Sequence, residues 1–255
     1  MSIHHSAAAG YAVGAGNYVR GRPGYPPEAA AWLREDLGLA AARAVLEVGA
    51  GTGKFIPLLR ETGAAVLALE PVAAMRARLA ADHPGVTVLD GSATAIPLPD
   101  GAVDVVVCAQ AFHWFATAAA LAEMRRVLKP GGMLGLIWNV RDEQVDWVAA
   151  LTALTDPWEQ GTPRYRSGAW RDVFPAPGFA AAGERSVHHA HIGSAEEVIV
   201  DRTLSVSFIA ALPEATRDEV ARQVRALIAD TPALAGGGEI AFPYETRMFA
   251  FRRVD

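Results

Sequence analysis

The segment that most constrains this chain is Ala44-Val45-Leu46-Glu47-Val48, followed at once by Gly49-Ala50-Gly51-Thr52-Gly53. A short apolar run that ends in a glycine turn reads as a strand. Lys54–Glu61 then reads as a helix. A strand that feeds a helix in this way commits the chain to a right-handed crossover and a parallel sheet. The sequence keeps that rhythm. Val66–Leu69 reads as a second strand ending on Glu70-Pro71, Val72–Asp82 as a helix and Val86–Leu89 as a third strand. Val103–Ala109 is apolar almost throughout, as a strand covered on both faces has to be. Ala116–Leu128 reads as a helix stopped by Pro130-Gly131-Gly132, and Met133–Trp138 as a fifth strand. The expectation is an α/β protein with a Rossmann-like, mostly parallel sheet and helices on both faces.

The flanks are read differently. Pro23, Pro26 and Pro27 forbid regular helix in the first part of the chain. Pro27 suits the opening of a helix over Glu28–Leu37, which Gly38 stops. After Asn139 the alternation breaks, and Trp147, Trp158, Tyr165 and Trp170 lie among prolines and glycines in 141–180. Ser186–Ile192 reads as a strand. Glu214–Ala229 reads as a helix with Val220, Val224, Leu227 and Ile228 at helical spacing. Gly236-Gly237-Gly238 leads to a closing strand over Glu245–Arg252. The organisation expected is one domain over 1–255, with an N-terminal arm over 1–40 and a cofactor-binding core over 41–140. A small cap insertion follows over 141–210, then a C-terminal helix and strand over 211–255.

With 255 residues the chain can bury roughly three quarters of its unfolded surface without a disulfide. Its one cysteine, Cys108, excludes an internal disulfide and fits a reducing compartment. A net charge of −5 argues against nucleic acid or an anionic membrane as partner. The most apolar stretch, Val103–Leu121, carries Asp104, Gln110 and His113 and is a poor bilayer span. A cytoplasmic monomer or homodimer acting on a small molecule is expected.

Glycines between a strand and a helix admit positive φ and let a ligand approach the backbone. The helix beyond offers free N–H groups. Glu70 ends the second strand, 19 residues past Gly51, where a carboxylate can accept both ribose hydroxyls. A dinucleotide fingerprint G-x-G-x-x-G is not met, because Lys54 stands where the third glycine belongs. A phosphate-binding P-loop fails as well, since Gly53-Lys54 is followed by Phe55.

Glu47-Val48-Gly49-Ala50-Gly51-Thr52-Gly53 resembles the first motif of the class I S-adenosylmethionine-dependent methyltransferases. Further segments match in order: Ala68-Leu69-Glu70-Pro71 with Met75, then Gly91–Asp100, Asp104–Trp114 and Arg126–Gly132. Arg22-Pro23-Gly24-Tyr25-Pro26 and Phe112-His113-Trp114-Phe115 resemble a bacterial small-molecule subgroup close to the trans-aconitate methyltransferases. The resemblance implies a seven-stranded sheet whose last, antiparallel strand lies beside the fifth. It implies S-adenosylmethionine as cofactor, with S-adenosylhomocysteine as product. It also assigns roles. Glu47, Gly49, Ala50, Gly51 and Gly53 approach the amino-acid part of the cofactor. Glu70 and Pro71 meet the ribose, and Met75, Ser92 and Ala93 the adenine. Gln110 and Ala111 lie beside the methionine moiety. Many relatives carry Asp where Ser92 stands, and a hydroxyl still accepts one hydrogen bond. Tyr18 and Arg22 are read as folding the N-terminal arm over the cofactor, with Arg22 facing its carboxylate.

On the acceptor side, His113 admits two readings: a general base, or part of the pocket wall with its aromatic neighbours. Trp114, Trp138, Trp147, Tyr165 and Trp170 are candidate walls for a flat or apolar acceptor, and Trp147, Trp158, Tyr165 and Trp170 suit equally the packed core of a small cap. Arg164, Arg166 and Arg171 suit either a carboxylate or a solvated face. His188, His189 and His191 lack an acidic or cysteine partner at metal-ligand spacing, so no metal is expected. The function expected is methyl transfer to an oxygen, nitrogen or carbon nucleophile of a small molecule by in-line displacement. The alternatives are a sensor or a non-methylating enzyme on the same fold, and, less in keeping with the glycine spacing, an NAD(P)-dependent oxidoreductase.

Overall fold

The structure is a computed structural model that describes residues 22–254. Seven strands form one sheet: β1 (Ala44–Val48), β2 (Ala65–Leu69), β3 (Thr87–Leu89), β4 (Val103–Ala109), β5 (Leu128–Arg141), β6 (Phe179–Ser194) and β7 (Glu239–Arg253). Their order across the sheet is β3-β2-β1-β4-β5-β7-β6. The pairs among β3, β2, β1, β4 and β5 are parallel. β7 runs antiparallel between β5 and β6. The strand order reverses between β1 and β4, and the crevice outside the carboxyl ends of those strands is where an open α/β sheet holds its ligand.

Helices α1 (Glu28–Glu35), α2 (Ile56–Glu61), α3 (Ala73–Asp82) and α4 (Ala118–Val127) follow the expected crossovers. Trp32 and Leu33 of α1 join Phe55, Leu59 and Leu79 in one apolar cluster against the sheet. Leu121, Met124 and Val127 of α4 join Phe112, Trp138 and Trp170 in a second. Both faces of β4 are therefore covered, which accounts for its nearly unbroken apolar sequence.

The later strands are longer than the sequence pattern indicates. β5 begins at Leu128, which pairs with Val103, and Lys129–Gly132 bulge out before pairing resumes at Met133. β6 begins at Phe179 instead of Ser186, because β7 pairs with Ala180, Ala181 and Gly183 around a bulge at Ala182. β7 begins at Glu239 and contains Pro243. That residue lies just past the Arg141–Tyr244 pair that ends β5, where a missing N–H interrupts no strand pairing on that side.

The region after β5 builds a third apolar cluster over the end of the sheet. It unites α5 (Asp146–Thr155), a π-helical turn over Glu196–Asp201, α6 (Arg202–Leu204), α7 (Ser207–Ala210) and α8 (Glu214–Asp230). Val148, Leu151, Ile199, Ile209, Val220 and Val224 pack there on Phe242 and Tyr244 of β7. Residues on both sides of position 210 thus share one core. Among the described residues no helix is long and apolar enough to cross a membrane.

Candidate active site

The three loop glycines do different things. All have positive φ: +75° at Gly49, +58° at Gly51 and +85° at Gly53. A Cβ on Gly49 would stand 2.8 Å from the Ala111 methyl, so this glycine permits the close approach of the β1 and β4 turns. A Cβ on Gly51 would meet nothing within 4 Å, because its backbone faces an open cavity. A Cβ on Gly53 would strike the His83 ring at 2.6 Å. Gly53 therefore serves packing against Leu79 of α3 and His83 just beyond it.

Glu70 crosses from β2 to this loop. Its Oε2 accepts the Gly51 N–H at 2.9 Å and its Oε1 accepts the Val72 N–H at 2.9 Å. Burial pushes its carboxyl pKa up, and the two backbone N–H groups and Arg76 oppose that rise. Glu47 is 1% exposed on β1, and its Oε2 has no hydrogen-bond partner among the described residues. Burial, with Glu70 nearby, holds its carboxyl well above the usual carboxylate range.

The cavity between β1 and β4 is also walled by Ala50, Pro71, Met75, Ser92 and Ala93. Gln110, at φ +56°, and Ala111 close it from the end of β4. Tyr18 lies outside the described residues. Arg22 lines the cavity, and its Nη2 donates to the Ser205 carbonyl at 2.9 Å. Lys54, whose ammonium donates to the Arg22 carbonyl, is lowered to a pKa of about 8 by burial and by the charges of Arg22 and Arg202.

Asn139 was not singled out by any motif. Its Nδ2 donates to the Gly24 carbonyl at 2.8 Å, and its Oδ1 accepts from the Thr246 hydroxyl at 2.7 Å. It also accepts, through its backbone carbonyl, the Gln110 Nε2 at 3.3 Å. One side chain thus ties the segment after Arg22 to β5 and β7. Only its partners in space mark it, and no short sequence pattern carries them.

A second cavity shares Arg22, Gln110, Trp114, Asn139 and Arg202 with the first. His113, Trp138, Tyr165 and Phe208 are among its walls. The indole Nε1 of Trp138 donates to His113 Nδ1 at 3.1 Å. The imidazole is held to a pKa of about 3, first by burial and then by Arg164 and Arg22, so it is neutral and carries its proton on Nε2. Two expected wall residues lie elsewhere. Trp147 packs edge-on against Phe242 in the third cluster, and Trp170 is 3% exposed in the second, against Trp138 and Tyr165.

The arginines also part company. Arg164 and Arg166 pair with Glu159 at 3.0 Å each, and Arg166 with Asp156. Arg171 lies 4.3 Å over Trp170. His189 and His191 are half-buried on one face of β6 and His188 is exposed on the other. No group of three or more His, Cys, Asp or Glu among the described residues is placed to hold a metal. Cys108 is buried in β4, and burial raises its thiol pKa well above the ordinary value.

An open glycine backbone and a carboxylate at the end of β2 thus line one side of the first cavity. A model of the methyltransferase domain family matches residues 46–136. An uncharacterized methyltransferase of Mycobacterium tuberculosis is 42% identical over 241 residues, 94% of this chain and 93% of that protein. A methyltransferase-like protein of Schizosaccharomyces pombe is 34% identical over 237 residues, 92% of this chain and 91% of its own length. Among solved structures, an Anaeromyxobacter dehalogenans protein assigned as a type II methyltransferase superposes with a TM-score of 0.65 at 25% identity, over 91% of this chain and 97% of that one. The cyclase SpnF shares the fold, with a TM-score of 0.54 at 20% identity over 92% of this chain and 85% of its own.

Proposed function

Since the chain belongs to the class I S-adenosylmethionine-dependent methyltransferases, we propose that its two joined cavities hold a methyl donor and a small-molecule acceptor side by side. The observation that carries this reading is the Glu70 carboxylate on the Gly51 N–H, at the mouth of a cavity into which the Gly51 backbone opens. S-adenosylmethionine, when bound, supplies an electrophilic methyl group. Glu70 takes the ribose hydroxyls, while Met75, Ser92 and Ala93 border the adenine. Glu47 and Gln110 face the methionine part, and Arg22 its carboxylate. The acceptor reacts through an oxygen, nitrogen or carbon atom in the second cavity, and the walls exclude water while aligning it. His113, with Nδ1 occupied, orients the acceptor through Nε2–H and takes no proton from it.

Thermal unfolding with S-adenosylmethionine, S-adenosylhomocysteine, NAD and NADP tests the reading. The sulfur nucleosides alone should raise the midpoint, by about 2.7 kcal/mol of stability at a hundredfold excess over Kd. A rise with NAD or NADP alone would favour the oxidoreductase instead. A second reading, a non-methylating reaction at the same site, is supported by the SpnF likeness, since one fold serves both. Production of S-adenosylhomocysteine in the presence of acceptor separates the two.

A further inference from the structure

Two guanidinium groups in the second cavity have no counter-charge. Arg141, at the end of β5, is 9% exposed, and its Nε and Nη2 have no hydrogen-bond partner among the described residues. Arg202, at the start of α6, is 8% exposed; its Nε donates to the Tyr244 hydroxyl at 3.2 Å, and its Nη1 has no partner among the described residues. Both line the cavity. Arginine buried to this degree is found paired almost without exception, because an unpaired buried charge is strongly unfavourable. Burial first, and then Arg202, Arg164 and Arg22, lower Arg141 to a pKa of about 9, and burial with Arg22 and Arg164 lowers Arg202 to about 10. The carboxylates nearby do not answer these charges. Glu159 pairs with Arg164 and Arg166, and Asp156 with Arg166. Glu143, on the rim, is exposed to water and accepts from the Thr152 hydroxyl.

We infer that the acceptor is a phosphate monoester, its phosphoryl group held between Arg141 and Arg202 and its methylated atom in the remainder of the molecule. The inference rests on the methyl-transfer reading and names its substrate class. Charge is the first reason. A phosphate monoester carries close to two negative charges at neutral pH, its second pKa being about 6, and so matches two guanidinium groups. A carboxylate or a sulfate ester carries one and leaves a buried guanidinium unbalanced. Donor number is the second reason. Nε and Nη2 of Arg141 and Nη1 of Arg202 are open to an acceptor, and Thr162 and Ser207, both buried, bring two hydroxyls to the same walls. These donors exceed the roughly four lone-pair sites of a carboxylate and fit three phosphoryl oxygens. A planar guanidinium fork also spans two phosphoryl oxygens at once. Arg141 lines the second cavity alone, whereas Gln110 and Trp114 border both. A phosphoryl group drawn to Arg141 thus leaves the rest of the molecule to reach the wall shared with the methyl donor. The phosphoryl group is a handle: it enters and leaves unchanged, and no bond to phosphorus forms or breaks.

The test is a calorimetric titration at about pH 7.5, where the second phosphate proton is gone, with phenyl phosphate, phenyl sulfate, benzoate and inorganic phosphate. It is run with and without saturating S-adenosylhomocysteine, which when bound fills the first cavity and confines the reading to the second. Phenyl sulfate has the shape of phenyl phosphate and one charge fewer. Phenyl phosphate should bind about tenfold or more tightly than phenyl sulfate or benzoate. It should also bind more tightly than inorganic phosphate, which brings no ring to Trp114, Tyr165 and Phe208. Arg141→Met should abolish the preference over phenyl sulfate. Arg141→Lys, which keeps the charge and loses the fork, should keep part of it. Both variants should hold the affinity for S-adenosylhomocysteine within twofold, since Arg141 does not line the first cavity. Phenyl sulfate or benzoate binding as tightly as phenyl phosphate, inorganic phosphate doing so, or a preference unchanged in Arg141→Met would each overturn the inference. Phosphate selectivity in a protein that ignores S-adenosylhomocysteine would instead overturn the methyl-transfer reading.

Discussion

The indole N–H of Trp138 points at Nδ1 of His113 across 3.1 Å, and this bond decides which nitrogen of the imidazole carries the proton. With Nδ1 accepting and Nε2 protonated, the neutral ring lines the second cavity with one N–H donor and no acceptor.

His113→Asn offers an amide oxygen in place of Nδ1 and should therefore satisfy Trp138. Its kcat should stay within about tenfold of the parent, where loss of a true general base removes roughly 10²–10⁴. His113→Ala leaves the indole N–H without an acceptor and should lose about 1–3 kcal/mol in urea unfolding. The pH dependence has a definite sign. The folded ring resists protonation down to about pH 3, while the unfolded chain protonates near 6.5. The unfolded state binds more protons between these values, so stability falls as pH drops from 6.5 toward 3 and is unaffected above. His113→Asn should lack that portion of the acid loss.

Two glycine substitutions should part stability from binding. Gly51→Ala meets no atom and bears only left-handed backbone strain, about 1–2 kcal/mol, yet its methyl enters the first cavity. It should fold and fail to bind S-adenosylhomocysteine. Gly49→Ala adds a contact with Ala111 at 2.8 Å, and overpacking of this kind costs about 1–3 kcal/mol more. Midpoints from thermal unfolding and affinities from calorimetry check the pair.

Glu70→Gln removes a charged acceptor from the ribose site. Affinity for S-adenosylhomocysteine should fall by about 1.5–3 kcal/mol, roughly 10- to 150-fold, in a direct titration. Folding should lose about 1–3 kcal/mol at neutral pH, because the amide oxygen can accept only one of the Gly51 and Val72 N–H groups. The folded carboxyl has a raised pKa, so its favourable share of stability is present below the unfolded value of 4.5 and is lost as pH rises through the folded one. The neutral amide removes that decline.

Asn139→Ala cuts the links to Gly24 and Thr246 together. Urea unfolding should show a loss of about 1–3 kcal/mol for each polar group left buried and unpaired. S-adenosylhomocysteine affinity should fall as well, since Pro23 and Tyr25, on either side of Gly24, wall its cavity.

The sequence pattern and the structure agree best where the signal is local. β1 and β4 fall on the residues read from the pattern, because apolar runs bounded by glycine or polar residues leave little choice of register. Glu70 was legible because a strand end and a glycine turn fix its place. β6 and β7 were read too short, since Ala180, Ala181, Gly183 and Pro243 are poor strand formers that only partner strands rescue. Arg141 and Arg202 were not read as site residues at all. Each is unremarkable in its own stretch of sequence, and only the approach of β5 to the turn after β6 places both in one cavity. Trp147 and Trp170 were open to both a wall and a core reading, because aromatic composition does not say which way a ring faces.

Gln110, Trp114, Asn139 and Arg202 border both cavities, so the two ligands meet across a common wall with no chamber between them. Such a plan has a kinetic signature. Nothing separates a half-reaction on one side from a half-reaction on the other, and donor and acceptor must be resident together. Initial-rate lines for varied donor at several fixed acceptor concentrations should intersect instead of running parallel.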